Sequence, residues 1–114
     1  MAGTNIGDSI KTDTYIISKD LVIEWNRIKL MLMTKYIVTS KEVTPVQAEK
    51  YKFDLYGLFR DILQIPEQYI YPHIICNGYD SSQCYTGDKL RFDILDNPTL
   101  MKYHRVFVRN IESK

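Results

Sequence analysis

The chain has 114 residues, of which 45% are hydrophobic and 25% charged, and its net charge at pH 7 is +1. This length is typical of one domain with a modest core. The near-neutral charge gives no global electrostatic reason to expect binding to nucleic acid or to an anionic membrane. Nine tyrosines are the unusual feature of the composition, because tyrosine suits both half-buried positions and interfaces.

The first 17 residues are rich in glycine, threonine and aspartate and predict an N-terminal arm, which leaves residues 18–114 as a single small domain. The first residues do not show the basic start and following apolar run of a signal peptide, so we expect none. The longest apolar stretch, residues 28–38, is about half as long as a membrane span and contains two lysines. We therefore expect a cytoplasmic chain without membrane contacts, in which Cys76 and Cys84 are reduced thiols.

The first predicted helix covers residues 20–38, with Ser18 or Asp20 as its cap. Its apolar residues at helical spacing are Leu21, Trp25, Ile28, Leu32 and Tyr36. Other apolar residues, among them Met31 and Met33, lie off that stripe. A helix that is apolar on two faces is buried on two faces. The second face therefore meets either the rest of its own chain or another subunit.

The second predicted helix covers residues 45–64. Thr44 can cap it, Pro45 suits its first position, and Gln47 completes a capping box. The short connection predicts that the first two helices form an antiparallel hairpin. A third helical segment over residues 66–77 is either one bent helix or two short turns, and it ends at Gly78, which can adopt the left-handed cap conformation.

The C-terminal part predicts two strands, residues 89–95 and 103–110, which pair antiparallel across the turn between them. The predicted fold class is therefore α+β. A helical hairpin carries a short third helix, and a small C-terminal antiparallel β-hairpin closes the domain.

The candidate metal ligands are His73, Cys76, Cys84 and His104, with the spacing H-x2-C-x7-C-x19-H. Structural zinc sites usually combine two close pairs of ligands, and only the first pair here is close. A simpler interpretation has His73 exposed and Cys76 packed inside the domain. We expect no metal and no cofactor. Because no cysteine, histidine or carboxylate motif forms a catalytic constellation, we also expect no enzyme activity.

The last quarter of the chain combines cations with aromatic residues. The cations are Lys89, Arg91, Lys102, Arg105, Arg109 and Lys114, and the aromatic residues are Phe92, Tyr103 and Phe107. Such a combination is typical of surfaces that bind single-stranded nucleic acid. Interspersed acidic residues and the near-neutral total charge argue against nucleic acid as the partner.

Residues 71–94 resemble the second half of a lysin-motif (LysM) module. The matching residues are Ile74, Ile75, Asn77 and Gly78, followed by Gly87, Asp88 and Leu90. Similar half-modules occur in small tail and baseplate proteins of contractile-tailed phages. A complete module needs an opening strand just before its first helix, and the fitting GDSI sequence at residues 7–10 lies two predicted helices away. The resemblance therefore implies a structural subunit of a virion.

These observations predict a non-enzymatic assembly subunit of a larger particle, a phage tail or baseplate, located in the virion and assembled in the host cytoplasm. Its partners would be other subunits of that particle or further copies of itself, and the β-hairpin edge could add to a neighbour's sheet. The candidate contact residues are Trp25, Met31, Met33, Tyr69, Tyr71, Tyr79, Arg105, Phe107 and Arg109. The alternatives are a small binding module for cell-wall glycan or single-stranded nucleic acid, and a phage-encoded regulator that docks on a host protein.

Overall fold

The computed structural model describes residues 17–113, which form an α+β fold of six α-helices and a two-stranded antiparallel sheet. The predicted arm lies outside the described residues except for Ile17. The elements are α1 (Lys19–Arg27), α2 (Lys29–Lys35), β1 (Ile37–Glu42), α3 (Pro45–Lys50), α4 (Leu55–Gly57), α5 (Ile70–Cys76), β2 (Arg91–Leu95) and α6 (Asn97–Glu112). None of the helices within residues 17–113 combines the length and the hydrophobicity needed to cross a membrane.

The predicted helix over residues 20–38 is wrong in its extent. Ser18 caps α1 as predicted, and its hydroxyl accepts a hydrogen bond from the N–H of Leu21 at 3.2 Å. The helix is interrupted at Ile28, and the chain becomes a strand from Ile37. The β-branched residues that follow Tyr36 favour the extended conformation. Because β1 separates α2 from α3, the predicted helical hairpin does not form.

The predicted helix over residues 45–64 begins where expected but is interrupted. The hydroxyl of Thr44 accepts the N–H of Gln47 at 3.1 Å, and the Gln47 side chain accepts the N–H of Thr44 at 3.0 Å, which confirms the capping box. After α3, Phe53 adopts a left-handed conformation with φ of 65°. Asp54 then caps α4, because its carboxylate accepts the N–H of Gly57.

The third helical segment consists of two consecutive parts. A 3₁₀ turn over Glu67–Tyr69 continues directly into α5. A π-helical turn over Leu58–Ile62 extends α4 in front of it. Gly78 follows α5 with φ of +93°, which confirms its predicted role in ending the segment.

The predicted C-terminal β-hairpin is wrong. The first of its two strands is confirmed from Arg91 onward, but it pairs with β1, with Thr39 opposite Ile94 and Ser40 opposite Asp93. The predicted strand over residues 103–110 is part of α6.

Three local signals explain why α6 is a helix. Asp96 caps it by accepting the N–H of Thr99 at 3.3 Å, and Pro98 occupies its first turn, where a missing N–H costs nothing. Leu100 and Phe107, seven residues apart, form its buried face.

The hydrophobic core lies between the helices and the inner face of β2. Phe92 of β2 contacts Phe59 edge-on at a ring distance of 5.3 Å and Tyr85 at 5.8 Å. Trp25 of α1 meets Phe107 of α6 edge-on at 5.1 Å. All five side chains are buried. These side chains belong to one hydrophobic core, which includes the sheet and both ends of the described chain.

Candidate functional site

Exposed apolar side chains concentrate in one part of the chain. Five of the nine large hydrophobic residues that are exposed within residues 17–113 lie between positions 23 and 38. They are Ile23 (61% exposed), Leu30 (76%), Met33 (38%), Ile37 (36%) and Val38 (59%). A concentration of this kind is typical of a protein contact surface. We call the part formed by Leu30, Met33, Ile37 and Val38 the α2–β1 surface.

Helix α2 is apolar on both sides, as the sequence predicted. Leu32 is fully buried in the core. Successive residues of an α-helix are rotated by about 100°, so Leu30, two residues before Leu32, lies on the opposite side of the helix from the core. Met33 follows Leu32 directly and lies beside the core. The sequence left two alternatives for the second apolar face: contact with the rest of the chain or contact with another subunit. The described residues do not bury Leu30 or Met33.

Cations predominate in this part of the chain, although β1 itself ends in an acidic residue, Glu42, which lies 4.0 Å from Arg91. Between residues 25 and 41 the chain contains four cations and no aspartate or glutamate. Arg27 pairs with the carboxylate of Glu24 on its own helix, and the ammonium group of Lys41 lies 3.5 Å from the carbonyl oxygen of Leu63. Lys29 and Lys35 form no ion pair with the described residues. The α2–β1 surface therefore combines exposed apolar side chains with two lysines that form no ion pair with the described residues.

The two edges of the sheet differ. One edge of β1 pairs with β2, and no other described strand pairs with its outer edge. The outer edge of β2 is covered by side chains from α5. This second arrangement was not predicted from the sequence, because it depends on contacts between residues 16 and 22 positions apart.

His73 is one of the two side chains that cover β2. Its Nδ1 donates to the carbonyl of Tyr69 at 2.8 Å, and its Nε2 accepts the N–H of Leu95 at 3.0 Å. Burial lowers the pKa of His73 to about 4, so the ring is neutral at pH 7. The interpretation that His73 is exposed was wrong, since the side chain is fully buried. Both ring nitrogens are engaged by the backbone, which leaves neither free to bind a metal.

Asn77 is the second side chain on this edge. Its Nδ2 donates to the carbonyl of Asp93 at 3.0 Å, and its Oδ1 accepts the N–H of the same residue at 2.8 Å. The Nδ2 group also donates to the carbonyl of His73 at 2.8 Å. Asn77 thus bonds to β2 through one donor and one acceptor, as a neighbouring strand would. The NG pair predicted only a helix end at this position.

The two cysteines differ in their surroundings. Cys76 is buried, as the simpler interpretation predicted, and burial raises the pKa of its thiol to about 11. Cys84 is exposed, and its sulfur lies 3.4 Å from the hydroxyl of Ser81. Within residues 17–113, no three His, Cys, Asp or Glu side chains are arranged to hold a metal ion.

The predicted contact residues fall into three groups. Trp25, Tyr69 and Phe107 are buried in the core, so predicting them as partner contacts was wrong: they pack the fold. Met31, Tyr71 and Tyr79 are half-buried, whereas Met33, Arg105 and Arg109 are exposed. Of the predicted contact residues, Met33 is the one that belongs to the α2–β1 surface. Leu30 and Val38, which the contact prediction omitted, are the more exposed members of that surface.

Helix α6 carries the basic residues that suggested nucleic acid. Lys102, Arg105 and Arg109 follow each other at spacings of three and four, which places them on one side of the helix. Phe92 and Phe107 are buried and offer no face on which a base could stack. The basic and aromatic residues therefore do not form the surface that the predicted strands would have created.

A small cleft lies beside α5. Its volume is about 60 Å³, well below the roughly 300–1,000 Å³ of most small-molecule sites. Its lining is mainly apolar and consists of Ile17, Tyr56, Glu67, Gln68, Tyr71 and Ile74. The hydroxyl of Tyr56 donates to Glu67 at 2.7 Å, so these two polar groups already pair with each other.

Comparison with protein-family models, with curated proteins and with solved structures finds no match for this chain. Among the features of the described residues, the α2–β1 surface combines four exposed apolar side chains with two lysines that form no ion pair. It is therefore the candidate functional site.

Proposed function

We propose that this chain is a non-enzymatic structural subunit that assembles into a larger particle, a bacteriophage tail or baseplate. The observation that carries the proposal is the exposed α2–β1 surface. Leaving Leu30 and Val38 in water forgoes the free energy of burying them, roughly 25 cal/mol per Å² of apolar area. A neighbouring subunit that covers them would recover it.

The order of the elements supports the link to phage tail proteins. The sequence placed the opening strand of a LysM-like module at residues 7–10, far from the first helix of that module. In the structure a strand, β1, ends at Glu42, directly before α3, and it pairs with β2 after the intervening helices. The helix end at Asn77 and the strand that follows Gly87 and Asp88 complete the same pattern. On this proposal the protein is located in the virion and is assembled in the host cytoplasm.

The hydrogen bonding of the polar core supports a structural role. His73 and Asn77 are the buried polar side chains of the described core, and both bond the strand backbone. The thiol of Cys76 stays protonated at pH 7 because burial raises its pKa. His73 and Asn77 hold α5 on β2, and the proposal assigns none of the three groups a part in a reaction.

Incorporation into particles tests the proposal with a matched pair of variants. Leu30 and Val46 are 76% and 79% exposed, and only Leu30 lies on the α2–β1 surface. Tagged wild type, Leu30→Glu and Val46→Glu would be expressed during particle assembly, and each chain would be quantified in purified particles by mass spectrometry.

We expect wild type and Val46→Glu to be incorporated equally within about twofold, and Leu30→Glu to be reduced at least about tenfold, which corresponds to about 1.4 kcal/mol of lost contact energy. Absence of the wild-type chain from particles, or equal incorporation of both variants, would contradict the proposal.

A second candidate function is a binding module for cell-wall glycan. The presence of β1 directly before α3 favours it, because the missing opening strand was the reason to set an intact module aside. Sedimentation with insoluble peptidoglycan tests it. Retention that soluble glycan fragments abolish, and that Leu30→Glu leaves unchanged, would favour the glycan module over the assembly subunit.

A further inference from the structure

We infer that the α2–β1 surface docks on a different protein chain, whose surface has an apolar centre bordered by carboxylates, and not on a second copy of this chain. The inference rests on the proposed function, since it specifies the partner of the same surface. It is carried by charge and by the geometry of β1.

The charge argument concerns the border of the surface. Arg27, Lys29, Lys35 and Lys41 follow one another without an intervening acid. Arg27 pairs with Glu24, and Lys41 lies against the carbonyl of Leu63. Two copies that meet through this surface would bring their remaining lysines together, and like charges in a contact are destabilising. Lys29 and Lys35 have no ion-pair partner among the described residues. Carboxylates on a different chain would pair with them.

The geometry of β1 argues against pairing between the strands of two copies. The register between β1 and β2 is irregular between Ile37 and Thr39. Lys41 lies opposite the buried Phe92, so it projects from the core side of the sheet at the edge. Strand irregularities and inward-pointing lysines are features by which edge strands avoid pairing with other chains. We therefore do not expect the outer edge of β1 to add to a neighbour's sheet.

The remaining contact is made by side chains. Leu30 and Met33, one turn apart on α2, provide exposed apolar side chains, and Val38 provides another on β1. The α2 helix has seven residues, and the exposed apolar residues continue onto a strand, unlike the single amphipathic helix that lies in a membrane surface. A protein partner with an apolar centre and an acidic border therefore fits the observations better than an anionic lipid surface.

Zero-length cross-linking within purified particles tests the inference. A carbodiimide joins a lysine amine to a carboxylate only when the two are in contact. Wild-type particles would be treated and digested, and the peptides joined through Lys29 and Lys35 would be identified by mass spectrometry. The control Lys29→Arg/Lys35→Arg keeps both charges and removes both amines.

We expect Lys29 or Lys35 to be joined to aspartate or glutamate residues of a different protein. The arginine control should be incorporated as well as wild type within about twofold and should lose these cross-links. Lys29→Glu/Lys35→Glu should be incorporated at least about tenfold less, about 1.4 kcal/mol of contact energy.

Two results would overturn the inference while leaving the proposed function intact: cross-links from these lysines only to another copy of this chain, or none although the chain is present in the particles. Binding of the free chain to phosphatidylglycerol vesicles, abolished by Lys29→Glu/Lys35→Glu, would overturn it in favour of a lipid surface. Absence of the chain from particles would instead defeat the proposed function, and the inference with it.

Discussion

His73 and Leu95, 22 residues apart, are joined by a hydrogen bond of 3.0 Å in which the ring of His73 accepts the N–H of the strand. Together with Asn77, which directly follows α5, His73 occupies the edge of β2 that faces away from β1. A two-stranded sheet alone is marginally stable. In this protein the side chains of a helix provide the hydrogen bonds that a third strand would have made.

The neutral state of His73 predicts how stability depends on pH. Burial lowers the folded-state pKa to about 4 from the ordinary value of 6.5. The unfolded chain therefore binds the proton more readily. The stabilisation is complete above about pH 6.5 and is lost as the pH falls towards 4, a change of about 3 kcal/mol. Burial also lowers the pKa of His104, which acts in the same direction.

An NMR titration of the ring nitrogens measures this directly. We expect the ring of His73 to remain neutral in the folded protein at pH 5, with the proton on Nδ1. Protonation of that ring at pH 6 while the protein remains folded would contradict the account.

Replacement of Asn77 tests the cover of the β2 edge. Asn77→Ala removes three hydrogen bonds and leaves the N–H and the carbonyl of Asp93 without their partners. We expect the free energy of unfolding in urea to fall by about 1–3 kcal/mol. The exposed Asn110 on α6 provides the control, since Asn110→Ala should change it by less than about 0.5 kcal/mol. Equal effects of the two substitutions would show that the Asn77 bonds contribute nothing.

The orientation of α2 predicts a large difference between two neighbouring leucines. Leu32 is fully buried, whereas Leu30 is 76% exposed. Leu32→Ala should lower the free energy of unfolding by about 2–5 kcal/mol, because it leaves a cavity. Leu30→Ala should change it by less than about 0.5 kcal/mol. Urea denaturation of the isolated chain distinguishes them, and a larger loss for Leu30→Ala would mean that α2 is rotated relative to this structure.

The two thiols should react at very different rates. Cys84 is exposed, and Cys76 is buried with its thiol pKa raised to about 11. A disulfide reagent such as Ellman's reagent at pH 8 should label one thiol of the folded chain rapidly and the second only on unfolding, because the thiolate is the reactive form. The Cys84→Ser variant should show only the slow reaction. Rapid labelling of that variant would place Cys76 at the surface.

The sequence predicted those elements that local side-chain chemistry determines. The capping box at Thr44, the cap at Ser18 and the helix end at Gly78 each depend on residues within a few positions of one another, and all three are confirmed. The α+β class and the strand that begins at Arg91 are confirmed as well.

The errors arose where local patterns were ambiguous. The apolar run over residues 28–38 was predicted as one helix, but its last two residues, Ile37 and Val38, belong to β1, which pairs with β2. The alternating valines at 106 and 108 favoured a strand, although the cap at Asp96 and the spacing of Leu100 and Phe107 indicate a helix. The strand partner of β2 and the roles of His73 and Asn77 depend on long-range contacts that no local pattern contains.

Hydrogen–deuterium exchange compared between the free chain and the assembled particle tests the central claim most directly. The account predicts slower exchange of backbone amides in residues 29–42 on assembly, because a neighbouring subunit covers the α2–β1 surface. Amides of the exposed face of α6, including Arg105 and Arg109, should be unaffected and serve as the internal control. Unchanged exchange in residues 29–42, with the chain present in the particle, would contradict the claim that this surface is the site of assembly.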